Sequence, residues 1–562
     1  MRLQFKQLSM IAASVVLIGC GGGGSSTPSG NTTGGTTGGN TNTGNTGGTT
    51  GNTGGNTNTG NTGGTTASKV TISGTVTYDL VPANSNHIGL NYNAITHEKA
   101  KLVQVEAIDN QGSILKSTTT DTNGNYTLSD LPVSTNVQIR VLAKMLQTGT
   151  PGWDVKVIDN TNSDALYAMV GASATTGTTD SIRNLNAPSG WMGSDYTQAR
   201  VAAPFAILDT IESAMKKVES ADANTVFLPL IVNWSKDNVA ASGNNPGQIG
   251  TSHYTNGNLF ILGDANSDTD EYDNHVIAHE WGHYYEDKFS RSNSIGGSHG
   301  AGDILDIRVA FGEGWGNAFS AIALDDPIYF DTLGSQQSNG GNMDMESTST
   351  TNPGWYSEES IQHIIYDLYD SHDDGTDTLS LGFAPIHRVM TSTEKNTPAF
   401  TSIFTFIKAM KDANSANVNE IKNIVSSESI AEITDIWGTG RTNKASELPY
   451  KDLTVGTTLT AVQFNYSYGN NNKLGNHLYY KFNVATAGDY TITVHQTNGT
   501  DSDPDFYLYR TPPSNSTLPV IGNGTTAGDE TESGVHLDIG DYLLDVNDYN
   551  NQTTAQFDIS VN

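Results

Sequence analysis

Hydrophobic and polar residues alternate in two separate parts of the chain, and a longer spacing occupies the part between them. Within residues 68–170, apolar side chains recur at every second position, as at Val103, Val105 and Ala107. A period of two is that of a β-strand with one buried face. The same alternation returns over residues 452–562. Each of these two segments is therefore predicted to form an all-β sandwich.

Residues 195–450 carry apolar side chains at intervals of three and four. One such stripe contains Phe205, Leu208 and Ile211, and similar stripes follow later in the segment. This spacing is typical of amphipathic helices. Short apolar runs, such as residues 226–232, predict strands before the helical half. The chain is thus predicted to be multidomain, with an α+β domain flanked by two sandwiches.

The first 67 residues follow neither pattern. Residues 1–19 begin with basic residues and continue with an apolar run that is too short to span a bilayer, which is typical of a secretory signal. Cys20, the one cysteine of the chain, follows directly. The junction resembles a bacterial lipobox, and this resemblance implies an exported lipoprotein whose Cys20 is lipidated. Residues 20–67 are almost wholly Gly, Thr, Asn and Ser, which predicts a flexible tether.

Two histidines four residues apart mark the segment with the clearest chemistry. His279 and His283 belong to the sequence His-Glu-Trp-Gly-His, and the apolar residues around it indicate a buried helix. Because positions i and i+4 share one helix face, both imidazoles can reach one metal ion, and zinc suits such a pair. Glu280 is predicted to act as the general base rather than as a ligand.

A third ligand is predicted on the next helix. Residues 307–324 have helical periodicity although they contain three glycines, each costing up to about 1 kcal/mol relative to alanine. We attribute these glycines to a close approach of the two helices, which lets Glu313 reach the zinc. His279, His283 and Glu313 with one water make the open four-coordinate site that catalysis requires. Asn317, one turn later, is predicted to accept the free N–H of a ligating histidine.

Other ligand sets fit the sequence less well. A metzincin has Gly and His three and six residues after the second histidine, where this chain has Glu286 and Phe289, so that class is excluded. His299, Asp303 and Asp306 belong to or follow a Gly/Ser-rich stretch that is predicted to be a loop bordering the cleft. His299 remains an alternative ligand.

The two motifs together resemble those of a known group. His-Glu-Trp-Gly-His followed by Gly-Glu-Gly-Trp-Gly-Asn resembles the gluzincin metallopeptidases, and the second motif is most similar to the fungalysin family of secreted zinc endopeptidases. The resemblance extends over residues 195–450 and implies a thermolysin-like fold for them. It also implies that His279, His283 and Glu313 bind zinc and that Glu280 is the base.

The flanking segments resemble known modules as well. Residues 74–76 and 118–126 resemble motifs of the carboxypeptidase regulatory-like domain. Residues 479–482 and 505–510 resemble motifs of the bacterial pre-peptidase C-terminal domain, a jelly-roll sandwich found on secreted proteases. That resemblance implies a role in substrate attachment or secretion. The gluzincin resemblance further implies that an extended substrate pairs with a strand over residues 254–262.

Two sets of candidates stay open at this point. A gluzincin usually has an extra His or Tyr that stabilises the oxyanion, and the sequence does not choose among the candidates, which are His363, Tyr366, Tyr369, His372 and His387. Two acidic clusters have the oxygen-rich spacing that calcium favours. The clusters are Asp264, Asn266, Asp268 and Asp270, and Asp370, Asp373, Asp374 and Asp377. Calcium is therefore a second candidate cation besides zinc.

Charge and composition narrow the expected partners. With 59 acidic and 28 basic residues the net charge is −31, which repels nucleic acid. The predicted partners are protein or peptide substrates and a membrane, through a lipid on Cys20; the oligomeric state is unknown. The prediction is a zinc endopeptidase at the outer membrane or cell surface, or on the periplasmic side. The alternative is an adhesin with an inactive peptidase-like domain, and an aminopeptidase is a third interpretation.

Overall fold

The structure is a computed structural model that describes residues 68–562 apart from 348–349, 372–377, 441–443, 445–446, 514–519 and 525–527. The predicted signal peptide, the tether and Cys20 lie outside the described residues, as do His372, Asp373, Asp374 and Asp377. None of the helices in the described part has the length and apolar composition of a membrane-crossing segment.

The segment before the first helix is built of strands. They are β1 (Lys69–Leu80), β2 (Thr96–Lys99), β3 (Val103–Asp109), β4 (Ile114–Thr119), β5 (Asn125–Pro132), β6 (Asn136–Gln147), β7 (Trp153–Asp159), β8 (Ala165–Leu166), β9 (Ala168–Val170), β10 (Ala174–Thr175), β11 (Ser181–Ile182) and β12 (Leu185–Ala187). The long strands β1 and β6 bury every second side chain, as their sequence alternation predicts.

The middle segment combines helices with short strands. Its elements are α1 (Ala203–Ala221), β13 (Leu230–Trp234), β14 (His253–Thr255), β15 (Asn258–Ile261), β16 (Gly263–Asp264), β17 (Asp268–Thr269), α2 (Asn274–Phe289), α3 (Ile307–Leu324), β18 (Ile328–Leu333), β19 (Asn339–Asp344), α4 (Glu358–Tyr369), α5 (Phe383–Val389), α6 (Ile403–Ala413) and α7 (Val418–Ser427). A 3₁₀ turn at Ser335–Gln337 precedes β19, and a π-helical turn at Met390–Glu394 follows α5.

The C-terminal segment is again built of strands. They are β20 (Tyr450–Asp452), β21 (Thr458–Val462), β22 (His477–Val484), β23 (Gly488–Asn498), β24 (Pro504–Arg510), β25 (Val520–Gly522), β26 (Asp529–Leu537), β27 (Gly540–Asp548) and β28 (Gln556–Val561). They pair in two sheets with the orders β20-β22-β27-β24-β25 and β21-β28-β23-β26. A separate cluster of buried side chains fills the space between these sheets.

One sheet joins the N-terminal and middle segments. Its main strand order is β14-β15-β13-β7-β6-β3-β4, and β13 runs parallel to both β7 and β15. Leu230 of β13 lies opposite Val155 of β7. The sequence placed a domain boundary between residues 170 and 195, but the sheet and its hydrophobic core continue across it. Alternation shows which face of a strand is buried and does not show which strand lies at its edge, which is why the sequence missed this pairing.

Three helices form the centre of the middle segment. α2 packs against α3, and α3 packs against α4. Nearly every side chain of α3 is buried, so this helix is enclosed on all sides. Its first turn is capped by Asp306, whose carboxylate accepts the N–H of Arg308, and it ends at Asp325 in a left-handed conformation. α4 is capped in the same way by Ser357.

Candidate metal centre

His279 and His283 lie on one face of α2, inside the protein. Their exposed fractions are 3% and 8%, and their Nε2 atoms lie 3.0 Å apart. The closeness follows from the spacing of one helical turn. Both imidazoles therefore present a nitrogen to the same point between α2 and α3.

Glu313 of α3 reaches that point from the opposite side. Its Oε2 lies 3.4 Å from Nε2 of His279 and 3.3 Å from Nε2 of His283. The ligand atoms of the three residues all lie within 4.8 Å of one another. Burial by itself raises the pKa of Glu313, but the adjacent His299 and His283 lower it, and the pKa lies well below its usual value. The carboxylate is thus held in its charged form.

Two glycines of α3 permit close contacts with two different helices. A Cβ on Gly316 would lie 2.7 Å from Cε1 of His279, so α3 contacts the imidazole with bare backbone. A Cβ on Gly314 would lie 2.6 Å from Cγ2 of Ile361, so this glycine serves the packing of α3 on α4. The prediction from the sequence was that all three glycines of α3 serve the contact with α2. That reason applies to Gly316 and not to Gly314.

Asn317 holds the other nitrogen of the first histidine. Its Oδ1 lies 2.8 Å from Nδ1 of His279, and its Nδ2 donates to Oε1 of Gln362 at 2.8 Å. With Nδ1–H donated to Asn317, the ring keeps its lone pair on Nε2, the atom that faces Glu313. Gln362 of α4 fixes the orientation of the Asn317 amide and was not singled out by the sequence.

His299 lies beside the same carboxylate oxygen of Glu313. Its Nε2 is 3.3 Å from Oε2 of Glu313, and its Nδ1 is 2.6 Å from Oε2 of Glu358. His299 does not belong to the group of mutually close ligand atoms that His279, His283 and Glu313 form. The loop histidine that remained an alternative ligand is therefore a neighbour of Glu313, the predicted third ligand, and a carboxylate of α4 orients it.

Two further carboxyl groups of α2 lie in the same buried region. Glu280, the residue after the first histidine, has no exposed surface. Glu286 is almost fully buried, and burial, together with the charge of Glu313, raises its pKa well above its usual value. Only Glu280 was predicted to have a chemical role.

The described residues among the oxyanion candidates have other partners. Nδ1 of His363 lies 3.0 Å from Oε1 of Glu428, and Nδ1 of His387 lies 2.8 Å from the hydroxyl of Tyr285. Tyr369 donates its hydroxyl to Asp325, and the ring of Tyr366 lies against that of Tyr369. The structure instead brings His299 next to Glu313.

Glu358 and Gln362, which orient His299 and Asn317, both belong to α4. Their spacing of four residues places them on one helix face. This spacing is the feature of the sequence that could have pointed to Glu358 and Gln362. It is not sufficient to identify the two residues, because nothing in the sequence shows that this face of α4 lies against α3.

An acidic cluster forms beside β17, with a different membership from the one predicted. Asp264 closes a turn by accepting the N–H of Asn266 at 3.1 Å. Asp268 and Asp270 are instead joined by Asp331 of β18, and the three present ligand atoms within 4.8 Å of one another. Burial, with the charge of Asp331 adding to it, raises the pKa of Asp268 to about 8. Within the described part of the chain, Oδ1 of each of the three carboxyl groups has no hydrogen-bond partner.

A protein family matches the segment that contains the candidate centre. Residues 220–426 match the Mycolysin C-terminal domain family, and this matched segment is less than half of the chain. The matched range includes all of α2, α3 and α4 and the loop with His299. A comparison with curated proteins gave no match.

Two solved structures are similar to parts of the chain. The pre-peptidase C-terminal domain of a collagenase from Bacillus anthracis has 18% sequence identity and a TM-score of 0.17, and the alignment covers 20% of this chain and 94% of that domain. PliG, a periplasmic inhibitor of g-type lysozyme from Aeromonas hydrophila, has 17% identity and a TM-score of 0.13, with 20% of this chain and 99% of PliG covered.

Proposed function

We propose that this chain is a zinc-dependent endopeptidase that hydrolyses extracellular proteins. The observation that carries the proposal is the convergence of two histidines of α2 and Glu313 of α3 on one buried point. The match of residues 220–426 to a mycolysin domain supports the same reaction class, since mycolysins are zinc metalloproteases.

The three side chains fit a zinc ion in kind and in spacing. Two ligands of one tetrahedral zinc, each at about 2.0–2.1 Å from the metal, lie about 3.3–3.4 Å apart. The three ligand atoms here are separated by 3.0, 3.3 and 3.4 Å. Two imidazole nitrogens and one carboxylate oxygen are also a usual donor set of catalytic zinc. His279, His283 and Glu313 are therefore the residues that would hold it.

A zinc ion held by these residues would lower the pKa of a coordinated water and would polarise the scissile carbonyl. Glu280, buried beside His279, accepts the proton that the attacking water loses and then returns it to the leaving amine. Asn317 keeps His279 in the tautomer whose Nε2 is free to bind.

Among the described residues, His299 is the one best placed to stabilise the developing oxyanion. Glu358 holds its Nδ1 at 2.6 Å and so fixes the ring, while Nε2 is directed toward the point where the ligands converge. A ring that donates Nδ1–H to Glu358 and carries a second proton on Nε2 can donate to negative charge at the centre. This role replaces the candidates on α4 and α5.

An extended substrate would pair with the sheet. β14, at residues 253–255, lies at the end of the main strand order, next to β15. It overlaps residues 254–262, the segment that the gluzincin resemblance implies for substrate binding, which forms the two antiparallel strands β14 and β15 rather than one strand. An added strand would gain backbone hydrogen bonds along this edge, with alternate side chains directed to the protein.

The Asp268, Asp270 and Asp331 cluster is the site proposed for calcium. Asp270 is 3% exposed, and its Oδ2 accepts the hydroxyl of Ser252 while Oδ1 remains without a described partner. Three carboxylates at this separation repel one another, and an oxygen-seeking divalent cation relieves that repulsion. The calcium would stabilise the hairpin turn that leads into α2 and has no part in the chemistry.

The lipid anchor on Cys20 and export to the outer membrane or cell surface complete the proposal. An adhesin with an inert peptidase-like domain is the alternative. The complete set of Glu280 and three ligands favours the enzyme, because a binding protein has no need of a buried base beside a metal site.

Zinc analysis joined to a proteolysis assay tests the proposal. The full-length protein is expected to contain one zinc per chain and to hydrolyse casein, to lose both after treatment with a chelator, and to regain both when zinc is restored. Hydrolysis that persists in the zinc-free protein would contradict it.

A further inference from the structure

The loop between α2 and α3, residues 290–306, has to hold His299 in place without regular secondary structure. On one side it is attached to α4. Glu358 holds His299, and the N–H of Gly302 donates to Oε2 of Glu359 at 2.9 Å. On its other side the loop contacts the C-terminal sandwich, which lies outside the segment matching the mycolysin domain.

Backbone hydrogen bonds join the end of this loop to residues 472–474. The N–H of Asp306 donates to the carbonyl of Asn472 at 2.9 Å, and the N–H of Leu474 donates to the carbonyl of Ile304 at 3.0 Å. Leu305 and Lys473 form an antiparallel bridge between them. A short segment of the C-terminal sandwich is thus paired with the residues that lead directly into α3.

Side chains of the same segment reach the backbone just before His299 and a carboxylate that follows it. Nδ2 of Asn472 donates to the carbonyls of Gly296 and Ser298, at 2.9 and 3.1 Å. Nζ of Lys473 donates to the carbonyl of Ser298 at 2.6 Å and lies 3.3 Å from Oδ2 of Asp303. Asn472 is only 4% exposed, so water cannot readily replace its two bonds.

A buried ion pair fixes the first turn of α3 to the same sandwich. Nη1 of Arg308 lies 2.8 Å from Oδ2 of Asp545 on β27, and Nε of Arg308 lies 3.0 Å from Oδ1 of Asp306. The guanidinium also stacks over the ring of Tyr479 on β22, 4.8 Å from its centroid. The sandwich therefore supports both the loop with His299 and the start of the helix with Glu313.

We propose that Asn472 and Lys473 are positioning residues for the candidate active centre, and that the C-terminal sandwich is a working part of the catalytic unit. This inference rests on the proposed peptidase function. The resemblance of the sandwich to a known module implies substrate attachment or secretion, and the inference assigns it a different role. The reason is that Asn472 and Lys473 of the sandwich bond the carbonyl of Ser298, the residue immediately before His299.

Replacing Asn472 by aspartate keeps the shape of the side chain and removes its donors. The new carboxylate faces two carbonyl oxygens that it repels, so the loop around His299 loosens. A displacement of about 1 Å in a group that acts on the transition state can cost up to about 100-fold in rate. We expect Asn472→Asp to lower kcat and kcat/KM together by about tenfold or more, while zinc content stays that of the parent.

Asn476 in the same loop provides a matched control. Its Nδ2 also donates to two backbone carbonyls, those of Asn465 and Gly469, both at 3.0 Å. It is 2% exposed, so its burial matches that of Asn472. Both of its acceptors belong to the C-terminal segment itself. Asn476→Asp therefore causes a comparable loss of hydrogen bonds without touching the loop of His299.

The test compares the full-length parent with Asn472→Asp and Asn476→Asp by peptide kinetics and by amide hydrogen exchange of residues 296–303. The proposal expects faster exchange and the lower kcat in Asn472→Asp alone. The proposal is overturned if Asn472→Asp has an exchange rate and a kcat within twofold of those of the parent. It is also overturned if the two variants have equal effects. If Asn472→Asp does not fold, Lys473→Met decides by the same criteria.

Hydrogen exchange also separates this inference from the proposed function. The parent could hydrolyse no substrate while amide exchange of residues 296–303 becomes faster in Asn472→Asp and not in Asn476→Asp. In that case the peptidase proposal fails and the positioning contact stands. If the parent is active and Asn472→Asp changes neither measurement, the peptidase proposal stands and the positioning role is rejected.

Discussion

A Cβ atom on Gly316 would lie 2.7 Å from Cε1 of His279, so the backbone of α3 is in direct contact with the imidazole of α2. The first histidine is thereby held between a bare helix backbone and the Asn317 side chain, which bonds its Nδ1. Any side chain at position 316 has to displace the ring or separate the two helices.

Gly316→Ala is accordingly expected to weaken zinc binding by about tenfold or more, as other changes that disturb ligand orientation do. Gly312→Ala is the matched control on the same helix, since its Cβ would meet nothing closer than Cβ of Ser294 at 3.4 Å. The measurement is zinc affinity by competition with a chelator. Equal affinity in the two variants would show that the close contact does not position His279.

Asn317→Ala removes the acceptor for Nδ1–H of His279 and should lower zinc affinity by about 10-fold to 100-fold. Asn317→Asp retains an oxygen at that position and should retain most of the affinity. The same chelator competition measures both. A similar loss in both variants would mean that the contact with Gln362, rather than the bond to His279, is what matters.

His299 is expected to act on the transition state and not as a ligand. His299→Gln should retain one zinc per chain and lose about 100-fold in kcat, the scale seen when one oxyanion donor is removed. Glu358→Gln should show a smaller loss in the same direction, because the ring loses its charged partner. Loss of zinc from His299→Gln would instead support the alternative in which this histidine is a ligand.

Calcium is expected to stabilise the folded protein through Asp268, Asp270 and Asp331. At free calcium about 100 times the Kd, binding adds about 2.7 kcal/mol to the free energy of unfolding, which raises Tm. Asp331→Asn should abolish this rise. Asp264→Asn should retain it, since Asp264 closes the turn at Asn266 and does not belong to the group of mutually close ligand atoms. Thermal unfolding with calcium or magnesium tests this, and a rise that survives Asp331→Asn would refute the site.

The positions of residues could be predicted from the sequence where they depend on spacing within one helix. The i and i+4 histidines and the helix over residues 307–324 required no tertiary information, and α3 has those bounds. The roles of His299 and Glu358 depend on how a loop lies between α4 and the C-terminal sandwich, which local pattern does not encode. Asp331 joins Asp268 for the same reason, through the pairing of β17 with β18. The shared sheet of β7 and β13 likewise depends on contacts between strand edges.

The measurement that tests the central claim most directly is casein hydrolysis by the parent and by Glu280→Gln, with the zinc content of both. Glutamine occupies the same space as Glu280 and cannot accept a proton, so the account predicts equal zinc content and loss of nearly all hydrolysis in the variant. If the variant binds zinc and cleaves casein as fast as the parent, Glu280 is not the base. If both bind zinc and neither cleaves, the peptidase proposal is contradicted and the adhesin alternative is favoured.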